Sequence, residues 1–163
     1  MKLRDPILIQ SKEIVAFNNY LKILGNILCG VNYVTYFEAK AFDLTSSFLE
    51  ISKVMFIAYP HSKPNETYIK ECSLEILLEV TDSCFSYCGA SFVKDDANGA
   101  ISEDLRTGFY RHLAKCVDYE NAAIYSYNSE VGLPGYDVFW SFCWLIHNVE
   151  QGRCVLLYGG SSD

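Results

Sequence analysis

Residues 136–158 read YDVFWSFCWLIHNVEQGRCVLLY. Two runs rich in β-branched and aromatic residues flank the short polar stretch Glu150, Gln151 and Gly152. Such runs favour strands, and a brief glycine-containing connection between two of them makes an antiparallel hairpin. This hairpin is expected to form the centre of a sheet. The GGSSD that follows at 159–163 reads as a frayed tail.

Working outward, AAIYSY at 122–127 and VNYVTYF at 31–37 also read as strands, and EVGLPG at 130–135 as a turn. Ile14, Phe17, Leu21, Leu24 and Leu28 recur at helical spacing. Ser11 is placed to cap that helix, with Gly25 or Gly30 as its stop. Ile69, Cys72, Ile76 and Val80 predict a helix over 66–80, with Glu71, Glu75 and Glu79 opposite. Leu105, Phe109, Leu113 and Cys116 predict another, with Ser102 as its cap. Segment 44–59 admits two readings. Ser47 and Glu50 resemble a capping box, while VMFIAY at 54–59 resembles a buried strand. Segment 84–92 either continues its helix or forms a strand, and KDDANG at 94–99 is a turn. The order of elements gives an α+β class: one domain over 1–163, an antiparallel sheet with a C-terminal aromatic hairpin, packed by amphipathic helices.

Composition narrows the function. The chain has 163 residues, half of them hydrophobic, with 24 aromatics and four prolines. That balance excludes a disordered or low-complexity protein. Thirteen basic against 20 acidic residues give a net charge of −7. An acidic domain is poorly suited to gripping phosphates, so no nucleic-acid partner is expected. MKLRDP at the start lacks the unbroken apolar stretch of a signal peptide, and the apolar run at 138–149 is too short to cross a bilayer. Seven cysteines, scattered singly in apolar surroundings, read as reduced core residues. A cytosolic protein without a membrane partner is the expectation.

The charge is uneven. Residues 1–70 hold 8 basic and 6 acidic residues, whereas 71–163 hold 5 and 14. Glu71, Glu75 and Glu79 would line one helical ridge, where like charges four apart repel. Asp82, Asp95, Asp96, Glu103, Asp104, Asp118 and Glu120 add to it. One reading is a solvated helix face; the other is an acidic docking surface for a cationic partner. Tyr125 and Tyr127 lie near the last of these acids and suit an interface, although alternating tyrosines also simply cover a strand.

Three patterns invite a chemical reading. Cys84 and Cys88 (C-x3-C) with His112 and Cys116 (H-x3-C) make a tetrahedral zinc set on paper. His147 lies four residues from Cys143 on one strand face, the spacing of a Cys–His pair. Asp95 and Asp96 fail the alternating ligand pattern of a calcium loop. No phosphate cradle is present, and no catalytic residue or cofactor is expected.

The acidic ridge at 71–79, the acids at 95–104 and the aromatic hairpin together resemble bacterial toxin-immunity proteins in size, acidity and α+β make-up. The resemblance implies a non-enzymatic cytosolic inhibitor. It would bind a basic toxin domain, often a nuclease, as a 1:1 complex and occlude its active site with negative charge. The alternatives are a zinc-binding regulator or enzyme using Cys84, Cys88, His112 and Cys116, and a self-associating adaptor domain.

Overall fold

The computed structural model describes residues 4–29, 34–44, 48–64, 67–86, 103–129, 131–134 and 140–162. Its strands are β1 (Ile7–Ile9), β2 (Val34–Asp43), β3 (Ile69–Cys72), β4 (Ala123–Tyr127), β5 (Trp140–Asn148) and β6 (Arg153–Ser162). The helices are α1 (Lys12–Leu28), α2 (Phe48–Ala58), α3 (Leu74–Phe85) and α4 (Glu103–Cys116). The strands form one sheet in the order β1-β2-β6-β5-β4-β3, and every neighbouring pair is antiparallel. The fold is therefore α+β, with the aromatic hairpin β5–β6 at the centre of the sheet.

Alternation along the strands splits the core in two. Phe37, Ala39, Phe142, Trp144, Ile146, Val155 and Leu157 lie on one face, beneath α1, α3 and α4. Phe42, Cys143, Leu145, Cys154, Leu156 and Tyr158 lie on the other, beneath α2. Burial on both sides explains why the hairpin sequence is apolar nearly throughout rather than alternating. Gly152, with φ 59°, makes the tight turn, and its N–H donates to Val149 O at 3.1 Å.

Three expectations change. First, 159–162 is not a frayed tail: β6 runs to Ser162 and pairs with β2 over its whole length, from Val34↔Ser162 to Asp43↔Arg153. Glycine stands at 159 because a Cβ there would come within 2.6 Å of Phe142 and 2.8 Å of Phe37. Second, Gly25 does not stop α1. It lies inside the helix where α1 crosses β2, and a Cβ there would sit 2.9 Å from Thr35 O. The Ser11 cap holds, its Oγ accepting from Ile14 N at 3.3 Å.

Third, 66–80 is not one helix. Residues 69–72 pair with β4 as β3, and the helix starts only after Ser73, whose Oγ accepts from Ile76 N at 3.3 Å. The Tyr-Ile pair at 68–69 and a serine cap outweigh the periodicity drawn through them. The open segment 44–59 takes its helical reading over 48–58 rather than the strand reading of VMFIAY, and Ile51, Val54 and Met55 pack on the sheet. The strand expected from 31 is described from Val34 and extends to Asp43. The expected turn at 94–99, the Ser47 and Ser102 caps, and Cys88, Asp95 and Asp96 fall outside the described residues.

Candidate partner-binding surface

Helix α3 lies over β5, with Leu77, Thr81, Cys84 and Phe85 turned inward. Thr81 Oγ1 accepts from Trp144 Nε1 at 3.1 Å, which fixes the helix against the centre of the sheet. On its other side α3 meets α4. Arg106 of α4 donates to Asp82 twice, Nε to Oδ1 at 2.9 Å and Nη2 to Oδ2 at 2.7 Å. The Tyr110 hydroxyl donates to the same Oδ1 at 2.9 Å. These bonds raise the Arg106 pKa, while burial, helped by the Asp82 bond, raises that of Tyr110. Arg106 also approaches Glu103 at 3.5 Å, so it links the end of α3 to the first turn of α4.

This geometry sorts the acidic residues. Glu75 and Glu79 are four apart on the exposed crest of α3, and among the described residues neither forms an ion pair. Glu103 and Asp104 are exposed in the first turn of α4, where negative charge also complements the helix dipole. Asp82 is spent on Arg106 and is structural. Glu71 leaves the expected ridge altogether. It lies on β3 directly opposite Tyr125, with its side chain on the sheet face of Ile69 and Tyr127, away from α3. A residue in a strand cannot share a helical ridge, which is why the 71/75/79 reading fails at its first member. Asp118 and Glu120 lie beyond the far end of α4, where Asp118 Oδ2 accepts from Asn121 Nδ2 at 2.8 Å.

The tyrosines separate from this surface as well. Tyr125 and Tyr127 sit on the opposite face of the sheet from α3. Tyr127 is buried, and its hydroxyl accepts from Lys63 N at 3.2 Å and donates to Val131 O at 3.1 Å. It pins two loops together, and it also lines a cavity beside α3.

An opening appears beside α3 instead. β4 pairs with β5 only as far as Ser126↔Trp144, so the start of β5 runs on past it. A cavity of about 380 Å³ occupies the notch. Ile76 and Val80 form its helical wall, Phe142 and Trp144 its floor, and Leu133 closes one side. Ser126 and Asn128 supply polar groups at the rim. Because α3 begins at Leu74, Ile76 turns outward and is 46 % exposed, while Val80 is half-buried against the edge of the core. An apolar residue between two exposed glutamates was the signal for this surface, hidden by drawing the helix from residue 66.

The chemical patterns dissolve. Phe85 packs on Phe109, so Cys84 lies beside the first half of α4, while Cys116 ends that helix about 10 Å further along. His112 faces α1, stacked on Phe17 and tilted against Tyr20. Among the described residues no three potential ligands gather at one point. Burial pushes the Cys84 thiol up to about 12 and Cys116, with Glu13 nearby, to about 11. Cys143 and His147 are separated by about 13 Å of strand. The register places Cys154, not Cys143, beside His147; that thiol is fully buried, and desolvation raises its pKa and disfavours the thiolate. No helix among the described residues is long and apolar enough to cross a membrane.

No protein-family description and no curated protein matches the sequence. Among solved structures the chain resembles citrus MAF1, with a TM-score of 0.61 and 16 % identity over 92 % of this chain and 98 % of that one. A second crystal form of citrus MAF1 gives 0.60 and 15 %, over 91 % and 97 %. At that identity the likeness is one of fold.

Proposed function

We propose that this chain is a stoichiometric binding protein for a cationic protein domain, acting as toxin-immunity proteins do, by covering a basic functional surface with negative charge. One observation carries the reading: Glu75 and Glu79 project from a helix anchored at both flanks, by Trp144 to Thr81 and by Arg106 to Asp82, and among the described residues neither has an ion-pair partner. A rigid element that keeps like charges together and exposed gains little stability from them. It gains association rate and selectivity when the partner is positive. Glu103 and Asp104 extend the negative surface towards α4. The expected target is a basic toxin domain, for example a nuclease, held 1:1 with its active site occluded; the binding protein itself turns nothing over.

The test is to mix the purified chain with a basic toxin domain, beginning with any that a neighbouring reading frame encodes. A 1:1 complex by light scattering, with loss of the domain's activity at equimolar ratio, supports the reading. Unchanged activity at tenfold molar excess rejects it.

A further inference from the structure

The cavity beside α3 adds a second chemistry to the acidic crest. Ile76, Val80, Phe142 and Trp144 give it an apolar and aromatic wall and floor, while Ser126, Asn128, Ser129 and Ser141 line the remainder with polar groups. Its volume, about 380 Å³, lies in the range of roughly 300–1,000 Å³ that takes compact organic groups. The floor is rigid, because Trp144 is hydrogen-bonded to Thr81 and Phe142 stacks on it with ring centroids 6.2 Å apart. Around the helix, Glu79 stands next to Ile76, with Val80 leading down from it into the cavity. Lys70, whose partner across the ladder is Ser126, is an exposed cation nearby.

From this juxtaposition we infer that the cavity receives one large aromatic side chain from the cationic partner, flanked by lysine or arginine residues that meet Glu75 and Glu79. Binding interfaces concentrate their affinity in such an arrangement: a buried aromatic anchor in a preformed pocket, with charges at its edge that steer the approach. The exposed Ile76 is the contact between the two parts, since it borders both the crest and the cavity. The inference rests on the reading of the partner as cationic, and it adds which segment of that partner matters and where it enters.

The test uses three blocked pentapeptides as probes: Lys-Lys-Trp-Lys-Lys, Lys-Lys-Ala-Lys-Lys and Glu-Glu-Trp-Glu-Glu. Binding is followed by NMR through the indole N–H of Trp144 and the methyl groups of Ile76 and Val80. The lysine-flanked tryptophan peptide should bind about tenfold or more tighter than its alanine counterpart, the order expected for burying an aromatic ring. It should also exceed the glutamate-flanked peptide by a similar factor at low salt. Val80→Phe, which fills the cavity, should abolish the advantage of tryptophan over alanine while leaving the weak, salt-sensitive binding of the alanine peptide intact. Equal binding of the two lysine peptides overturns the anchor inference and leaves the cationic reading standing. Equal binding of the two tryptophan peptides shows a neutral apolar site and overturns both. Absence of any shift at Trp144, Ile76 or Val80 with all three peptides overturns the anchor inference.

Discussion

Asp82 and Arg106 face each other across the α3–α4 contact with two parallel hydrogen bonds of 2.9 and 2.7 Å, closed by a third from Tyr110 at 2.9 Å. This pair separates carboxylates that hold the protein together from those that only decorate it. Asp82→Ala leaves the Tyr110 hydroxyl buried without its acceptor and Arg106 half-buried with only its longer contact to Glu103. The expected loss is about 1–3 kcal/mol in urea unfolding, with partner association nearly unchanged. Glu75→Gln should do the reverse, changing stability by no more than about 0.5 kcal/mol while slowing association.

Close helix contact makes a second site sensitive. Gly108 of α4 sits against the ring of Tyr20 of α1, whose hydroxyl donates to Leu105 O. A Cβ at 108 would overlap the Tyr20 hydroxyl, which that bond holds in place. Gly108→Ala should cost about 1–3 kcal/mol despite the better helix propensity of alanine. Tyr20→Phe removes the bound oxygen, so the double variant should be less destabilised than the sum of the two single changes, a departure that a double-mutant cycle in denaturant measures directly.

His112 sets a pH dependence. Desolvation against Phe17 and Tyr20, with Lys115 and Arg111 on its own helix, lowers its pKa in the folded chain. The unfolded state, with an ordinary pKa of about 6.5, therefore binds the proton more readily. The stability contributed by neutral His112 is complete above that value and is lost as pH falls through the lowered folded pKa. Thermal melts between pH 7.5 and 5.5 should show a decline that is shallower in His112→Gln. An identical slope in the variant would remove His112 as the cause.

Gly159 tests the packing of the central strand. Any side chain there meets Phe142 at 2.6 Å and Phe37 at 2.8 Å, both rings buried. Gly159→Ala should destabilise by about 1–3 kcal/mol by overpacking, even though alanine ordinarily suits a strand better than glycine. Replacing Phe142 by leucine in the same chain should recover part of that loss.

Much of the architecture is legible in the sequence because it depends on local pattern. The hairpin turn at Gly152, the Ser11 cap and the periodic face of α1 are read from neighbouring residues alone. The α+β class follows from them. What fails is what depends on distant partners. Ile69 and Cys72 continue a helical period with Ile76 and Val80, and only pairing with β4 turns them into a strand. That shift moves Glu71 across the sheet and turns Ile76 outward, so one boundary error hid the cavity and added Glu71 to the ridge. The two glycines at 159–160 look like a tail until β2 is laid beside them. The acidic surface was half legible: Glu75, Glu79, Glu103 and Asp104 are exposed as charge counting suggests, while Asp82 shows its role only through Arg106, 24 residues away.

The central claim is that the negative crest of α3 exists to meet a positive protein. Its most direct measurement is the association rate with the cationic domain as a function of ionic strength, for the native chain and for the Glu75→Gln/Glu79→Gln variant. The account predicts a rate that falls steeply as salt screens the approach, and a variant that is slower at low salt but converges with the native chain at high salt. A native rate indifferent to salt, or a variant that associates as fast at low salt as the native chain, would contradict it.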